Sequence, residues 1–422
     1  MSREEDHVSN PTTPDHQTGA NGWEGQARKL LEADRAREAR TLLNEQNPED
    51  DRGRLVRDTL LARADAALGS FDDAERRINA VLQSIETAAL SPDSAYSLEV
   101  EARLYKSDLL LQAEGIELQE RFLKECLNRP LQLGDRARFV SDLAFNCRKA
   151  GRLKEAARLI EEVVGLLKET RQGVPLFYFI NLALIHTHAG AFEPAASCLA
   201  TVNNMGVYGH EKTAFELTSA FLALQSGELE ECEKALSRAD QSMTGDNFRL
   251  RVIWAEYKAE LRLLQGMFEE AKDILEELMS SVNEKAAHSD LVPEVARRLA
   301  SVYLALDRPN DALSYALRAE QTGAQADVLE QIAGLRTACE CYVGIGDLAS
   351  AEGCLKKVRE RFARIEDIEF VSERAALAKA IAKTERLKRM KKREEAEPTA
   401  GQSLLDRQLK EIGKELERSR AR

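Results

Sequence analysis

A short pattern, Gly-x-apolar-x-x-small, recurs along this 422-residue chain and constrains its fold more than any other feature. Three weaker copies begin with an acidic residue instead of glycine, and consecutive starting points lie about 39 residues apart. A period of this length indicates one supersecondary unit that is repeated and stacked, not a series of unrelated globular domains. The nine starting residues are Asp34, Gly69, Glu114, Gly151, Gly190, Gly227, Gly266, Asp307 and Gly346.

Each copy has the features of two helices joined by a tight turn. Glycine at the start tolerates the left-handed backbone conformation that ends a helix. Small side chains seven residues before it and five residues after it let two helix backbones approach closely, and aliphatic residues with a 3.6-residue period close the pair. The first set is Ala27, Ala62, Ser107, Ala144, Ala183, Ala220, Ala259, Ala300 and Cys339. The second set is Ala39, Ala74, Gln119, Ala156, Ala195, Cys232, Ala271, Ala312 and Ala351.

The composition supports a helical chain. Aromatic residues make up 5% and there are only 10 prolines, which disfavours extensive β-structure, and 43% hydrophobic residues are enough for a core. The net charge of -12 argues against nucleic-acid binding over the whole surface. Residues 1–21 are polar and predict a disordered tail, without the basic start and apolar run of a signal peptide. The seven cysteines include no CxxC pair, so we expect a reduced, cytoplasmic protein.

The repeats resemble the tetratricopeptide repeat (TPR) family in a longer-period form. The resemblance spans residues 22–364 in about nine repeats, and the first copy has Trp23 and Ala27 near positions that the family favours. It implies an all-α fold, an α-solenoid that forms a right-handed superhelix of antiparallel helix hairpins, with a C-terminal helical extension. The third copy departs from the family pattern, with Glu114 at the turn and Gln119 at a small site.

No catalytic motif accompanies the repeats. The chain has no GxxxxGK[ST] phosphate loop, no HExxH helix and no GxSxG elbow. His186 and His188 lie two residues apart on a predicted helix, so they point to different sides and do not form a metal-binding pair. The apolar run Leu176–Ile185 is too short to cross a bilayer. We therefore expect a protein that is not an enzyme, has no cofactor or metal, and has no membrane span.

The family resemblance also implies where a partner binds. In this family a concave surface is made by first-helix residues about ten and six places before each turn residue. These positions are apolar in the middle repeats and charged towards both ends, which predicts a groove for an apolar peptide or an amphipathic helix. The alternative is that these side chains pack against neighbouring repeats or against the chain's own C-terminal helix. The predicted site comprises Phe145, Phe177, Ile180, Asn181, Leu184, Leu217 and Phe221.

The C-terminal extension has a different character. Residues 365–396 predict a helix that caps the end of the stack, and its distal part is basic in an otherwise acidic chain. Residues 397–402 predict a linker, and residues 403–422 an amphipathic helix. That last helix has three open roles: docking in the groove, forming a homodimer through a short coiled coil, or binding a partner. The basic patch comprises Lys388, Arg389, Lys391, Lys392 and Arg393.

The sequence thus favours a non-enzymatic adaptor or scaffold that binds a peptide or helix of another protein. The alternative is a regulatory sensor arm, which acts on a transcription or signalling partner through the basic C-terminal helices. For the basic patch the simplest interpretation is a solvated helix end, and contact with nucleic acid, acidic protein or anionic lipid is left open. Neither an aromatic platform for single strands nor a helix-turn-helix pattern accompanies it, which disfavours nucleic acid.

Overall fold

The computed structural model describes residues 22–32, 35–169, 173–243, 247–285, 291–322, 328–362, 371–396 and 411. Within these residues the chain forms 19 helices and no strand, which confirms the all-α prediction. The predicted tail 1–21 and linker 397–402 lie outside the described residues. So does the predicted helix 403–422, apart from residue 411.

The first 18 helices alternate as first and second members of successive hairpins, and one further helix, α19 (Val371–Ala396), follows them. The first helices are α1 (Trp23–Glu32), α3 (Asp51–Ala67), α5 (Pro92–Ala113), α7 (Leu133–Lys149), α9 (Leu176–His188), α11 (Gly209–Ser226), α13 (Phe248–Leu264), α15 (Leu291–Ala305) and α17 (Val328–Ile345). The second helices are α2 (Ala36–Asn44), α4 (Phe71–Ile85), α6 (Ile116–Leu127), α8 (Leu153–Glu169), α10 (Phe192–Met205), α12 (Leu229–Ser242), α14 (Phe268–Lys285), α16 (Pro309–Thr322) and α18 (Leu348–Phe362).

The turns within the hairpins explain the repeated glycine. At the end of α11, Gly227 adopts the left-handed conformation, with φ 82° and ψ 12°. The next amide, that of Glu228, then donates a hydrogen bond to the carbonyl of Ala223, five residues back, at 2.8 Å. Asp307 takes the same region, with φ 59°, at the turn where the pattern has an acidic residue in place of glycine.

The third turn differs from the prediction. Glu114 ends α5 with φ -117°, and the next residue, Gly115, has the positive φ of 97°. A glutamate in the left-handed region would bring its Cβ close to the following carbonyl, so the reversal falls on the neighbouring glycine. The repeat keeps its register, because α6 begins at Ile116, two residues after Glu114, just as α12 begins two residues after Gly227. Only the positive φ is displaced, from Glu114 to Gly115.

The small residues are packed inside the hairpins. All eighteen predicted positions are at most 4% exposed, and the two cysteines among them, Cys232 and Cys339, are fully buried. Gln119, the large member of the set, is accommodated because the residue opposite it is polar: its amide Nε2 donates a hydrogen bond to Ser107 Oγ at 3.2 Å. The close helix contact that the small residues predict is thus present.

The contacts of the chain divide it into two compact units. Unit 1 comprises Met1–Phe139 with Thr244–Arg249, and unit 2 comprises Val140–Met243 with Leu250–Arg422. The core of unit 1 is built by α1 to α5, with Leu43, Leu60 and Ile78 almost completely buried. Every residue of the predicted site belongs to unit 2.

Within unit 2, α19 covers the last hairpin. It packs against α17 and α18, and one face of it is buried through Ala380, Thr384 and Leu387. The Thr384 hydroxyl lies 3.9 Å from the Cys339 sulfur of α17. The described part of the C-terminal extension thus packs on the last hairpin through these three side chains.

Candidate partner-binding surface

The first helices of unit 2 lie side by side. α9 contacts α11, and α15 contacts α17, within the same compact unit. We call the face that carries the positions ten and six places before each turn residue the first-helix surface. It includes the predicted site and, further along the chain, the charged positions of α13, α15 and α17.

Two phenylalanines of the predicted site are exposed on this surface. Phe145 of α7 is 40% exposed and Phe177 of α9 is 39% exposed. Two cations flank the Phe145 ring, with the Arg148 guanidinium carbon 4.8 Å and Lys149 Nζ 5.2 Å from its centroid. The Phe177 ring lies 4.0 Å from that of Tyr178 between centroids. Consecutive first helices therefore each present a large aromatic side chain to solvent.

The other five residues of the predicted site are less accessible. Ile180, Leu217 and Phe221 are buried, whereas Asn181 and Leu184 are half-buried. For the buried three, the structure agrees with the alternative of packing within the chain. A partner can therefore reach the two exposed phenylalanines and the two half-buried residues, but not a continuous apolar stripe.

An aromatic stack accounts for the burial of Phe221. Its ring centroid lies 4.8 Å from that of His188 on α9 and 5.4 Å from that of Tyr257 on α13, and the Phe221 and Tyr257 rings are nearly parallel. Desolvation, reinforced by the nearby Arg148 guanidinium, lowers the pKa of His188 to about 3. The imidazole is therefore neutral at pH 7 and acts as one ring of the stack.

A buried ionic cluster follows the stack along the first-helix surface. Glu256 of α13 is 3% exposed, and its Oε1 lies 3.4 Å from Arg298 Nε of α15 without a hydrogen bond between them. The same guanidinium donates a hydrogen bond to Glu260, one turn further along α13. Burial raises the pKa of Glu256 to about 7, and Arg298 offsets it only in part. Burial opposes a charge on Arg298 too, but Glu260 and Glu256 outweigh it and hold the pKa of Arg298 above its usual value.

The cluster continues onto α17. The Arg297 guanidinium donates two hydrogen bonds to the Glu330 carboxylate, one of them at 3.1 Å. Burial favours the neutral form of Glu330, but Arg297 and Arg298 outweigh it and lower the pKa of Glu330. Further along α17, Arg336 Nη1 donates a hydrogen bond to Glu340 Oε1 at 2.8 Å. Ion pairs thus connect α13 with α15 and α15 with α17, and a further ion pair lies within α17.

A cavity of about 300 Å³ opens between α13, α15 and α17. Its walls combine charged groups with apolar side chains such as Leu263 and Val302. Ligand pockets in proteins begin at about this volume, so the cavity has room for one extended side chain or a small ligand. The charged residues that line it are Glu260, Arg297, Arg298, Arg336 and Glu340.

The sequence pattern identifies most residues of the ionic cluster but does not predict that they contact one another. The count of ten and six places before each turn selects Glu256 and Glu260 on one helix and Arg297 on the next. It misses Arg298, one place away, which bridges both glutamates in the structure. Acidic positions on one first helix followed by basic positions on the next are the signal that points to this cluster.

The predicted basic patch lies on the distal half of α19. Lys388 forms an ion pair with Glu352 of α18, and Arg389 lies 3.7 Å from Glu385 of its own helix. Lys392 is exposed. Part of the positive charge is therefore balanced by the chain itself. The members whose side chains are outside the described residues are Lys391 and Arg393.

The described residues contain no group of three or more His, Cys, Asp and Glu side chains that could hold a metal ion. No helix in the same part of the chain is long and apolar enough to cross a membrane. Six of the seven cysteines are buried free thiols. Burial raises the pKa of the Cys232 thiol to about 12, so this side chain stays protonated and packs as a small apolar residue.

These features define an all-α repeat protein built from helix hairpins, and solved structures of the TPR type resemble it. No protein-family model and no curated protein matches the chain. A tetratricopeptide repeat protein from Parabacteroides merdae is 14% identical, with a TM-score of 0.39, over 67% of this chain and 98% of that chain. Rap protein complexed with Competence and Sporulation Factor is 14% identical, with a TM-score of 0.42, over 87% and 98%. NprR in complex with its cognate peptide NprX is 15% identical, with a TM-score of 0.41, over 71% and 79%. At these identities the likeness concerns the fold alone.

Proposed function

We propose that the chain is a non-enzymatic adaptor that binds a segment of another protein on the first-helix surface of unit 2. The observation that carries the proposal is the exposure of Phe145 and Phe177, both about 40% accessible, on consecutive first helices. Aromatic side chains are enriched in protein interfaces, where each buries a large apolar area.

The neighbouring residues suit an extended or helical segment. The half-buried Leu184 adds apolar area on the same helix as Phe177. Asn181, which lies between Phe177 and Leu184 in the sequence of α9, carries an amide that both donates and accepts hydrogen bonds, as the backbone of a bound peptide requires. Ile180 and Leu217 are buried, so they contribute to packing within the chain and not to contact with the partner.

The test is a peptide selection followed by matched substitutions. Peptides selected from a random display library on the wild-type protein are measured by calorimetry against the double variant Phe145→Ser, Phe177→Ser. We expect affinity to fall at least about 30-fold, the effect of removing about 2 kcal/mol at an interface hot spot. The control is Tyr208→Ser, which removes an aromatic side chain that is 82% exposed on a loop of the same unit.

Two outcomes contradict the proposal. Peptide binding that is unchanged in the double variant places the site elsewhere. A double variant that loses its helical melting transition shows that the two rings are part of the core. In that case the pair Phe145→Leu, Phe177→Leu retains apolar volume, and retention of peptide affinity in it confirms a structural role.

A further inference from the structure

The cavity between α13, α15 and α17 is not explained by the aromatic surface. Three guanidinium groups line it, which at first suggests a site for an anion. Each of these guanidiniums, however, already has a carboxylate partner within the chain, and the Arg298 guanidinium is shared between Glu256 and Glu260. The guanidinium groups of the walls are therefore already paired with carboxylates, which disfavours an anion as the ligand.

The charge balance of the whole cluster is negative. Four carboxylates surround three guanidiniums, which leaves one negative charge in excess when Glu256 is ionised. Glu256 is the least compensated of the four, because its Oε1 is buried and receives no hydrogen bond. Burial is the main cause of the raised pKa of Glu256, and the neighbouring Glu330 and Glu260 carboxylates add to it. The carboxylates are Glu256, Glu260, Glu330 and Glu340.

Two of these carboxylates face the cavity with acceptor capacity to spare. Glu260 accepts from Arg298 through Oε2, and Glu340 accepts from Arg336 through Oε1. An ionised carboxylate has about four acceptor positions on its two oxygens, so each can bind a further donor. The apolar walls at Leu263 and Val302 suit the methylene stem of a long side chain whose charged end lies among the carboxylates.

We propose that this cavity binds the cationic end of one lysine or arginine side chain, presented by the segment that the first-helix surface binds. A volume of about 300 Å³ holds one such side chain and not a folded element. The added cation lies beside the Glu260 and Glu340 carboxylates that line the cavity and supplies N–H donors for their remaining acceptor positions. The proposal rests on the proposed function for the source of the cation, but its residues are separate from Phe145 and Phe177.

The probe is the tripeptide Leu-Arg-Leu, acetylated and amidated so that the arginine carries its only charge. Two analogues replace arginine by lysine or by the uncharged norleucine, and a third combines norleucine with a free N-terminal amine. Calorimetry with the full chain measures each dissociation constant. We expect the arginine and lysine peptides to bind at least about tenfold more tightly than the capped norleucine peptide, because only they supply charge-assisted hydrogen bonds. Tight binding of the free-amine norleucine peptide instead would overturn the assignment to a side chain.

Substitutions of opposite sign separate a binding role from a structural one. Glu340→Gln is expected to weaken the arginine peptide about tenfold, whereas Arg336→Gln, which removes the internal competitor of the ligand, is expected to tighten it. Glu162→Gln is the matched control, because Glu162 also pairs with an arginine four residues away, on the exposed face of α8. Equal binding of the arginine and norleucine peptides, or equal effects of the Glu340 and Glu162 changes, overturns the proposal.

The two proposals fail in distinguishable ways. The cavity is tested by the difference between the arginine and norleucine peptides, which does not depend on the exposed phenylalanines. If the double variant Phe145→Ser, Phe177→Ser prefers the arginine peptide and also binds the selected peptides as tightly as the wild type, only the aromatic surface is refuted. If the phenylalanines matter and the preference for arginine is absent, only the cavity is refuted.

Discussion

At Gly227 the backbone leaves α11 and reverses into α12 through a single left-handed residue. A Cβ at this position would meet no atom within 4 Å, so space is not the reason for glycine. The reason is the clash that a Cβ makes with its own backbone at positive φ. Asp307 accepts this conformation at the corresponding turn, in keeping with the tolerance of short polar residues for the left-handed region.

Adding a methyl group at two glycines is predicted to have opposite effects. Gly227→Ala should lower the free energy of unfolding by about 1–2 kcal/mol, because alanine is strained at positive φ. Gly165→Ala, in the middle of α8 with equally open space around it, should raise it by about 0.5–1 kcal/mol, because the unfolded chain loses entropy. Urea denaturation of the two variants measures the difference. Equal effects of the two changes would show that the left-handed conformation is not what selects glycine.

The register of the turns is predictable from the sequence because it depends on a property of single residues. Only glycine takes the left-handed conformation without cost, so its spacing marks the hairpins directly. The third repeat shows the limit of this argument. The acidic residue Glu114 stands at the expected place, but Gly115 beside it is the better residue for positive φ and takes it.

At the level of the helix, register does not determine exposure. Phe145 and Phe221 each lie six residues before a turn glycine, yet the first is 40% exposed and the second 6%. Phe221 has an aromatic ring on either side, from His188 and Tyr257, whereas cationic side chains flank Phe145. Helical periodicity assigns both residues to one face, but the neighbouring helix decides whether that face is covered, and a single-helix pattern does not contain this information.

The same first-helix surface leads to a prediction about pH. The pKa of Glu256 rises from 4.5 to about 7 on folding, so the folded chain holds the proton more tightly than the unfolded chain. This contribution to stability is fully present below about pH 4.5 and is lost as the pH rises through 7. Glu256→Gln replaces the ionisable carboxyl by a neutral group. We therefore expect the free energy of unfolding of the variant to exceed that of the wild type by up to about 3 kcal/mol at pH 8 and to match it at pH 4.5. The groups facing Glu256 are Arg297, Arg298, Glu260 and Glu330.

Chemical denaturation at pH 4.5, 6 and 8 tests this dependence. The exposed Glu162→Gln on α8 serves as the control and should stay within about 0.5 kcal/mol of the wild type at every pH. A Glu256→Gln variant that is less stable than the wild type at pH 8 would show that the ion pair with Arg298 outweighs the burial of the carboxylate.

Across the whole chain, contacts follow sequence order. The described helices that are in extensive contact are neighbours or next-but-one neighbours, as with α3 and α4, α3 and α5, or α15 and α17. Such a chain adds stability repeat by repeat, through the internal packing of each hairpin and its contacts with adjacent ones. A defect in one hairpin should therefore be felt locally, in contrast to a globular core in which every element shares the same interior.

Leu43→Ala tests this locality. Leu43 of α2 is fully buried. The change should therefore lower the free energy of unfolding of the hairpins around it by about 2–5 kcal/mol, through lost contacts and the remaining cavity. Hydrogen exchange measured by mass spectrometry should show faster exchange in α1 to α4 and unchanged exchange in α15 to α18. The control, Leu264→Ala, removes a leucine that is 53% exposed and should leave exchange unchanged in both regions. Equal acceleration in both regions on Leu43→Ala would instead mean that the chain unfolds as one cooperative body, because only then does a defect near one end lower the free energy of opening everywhere.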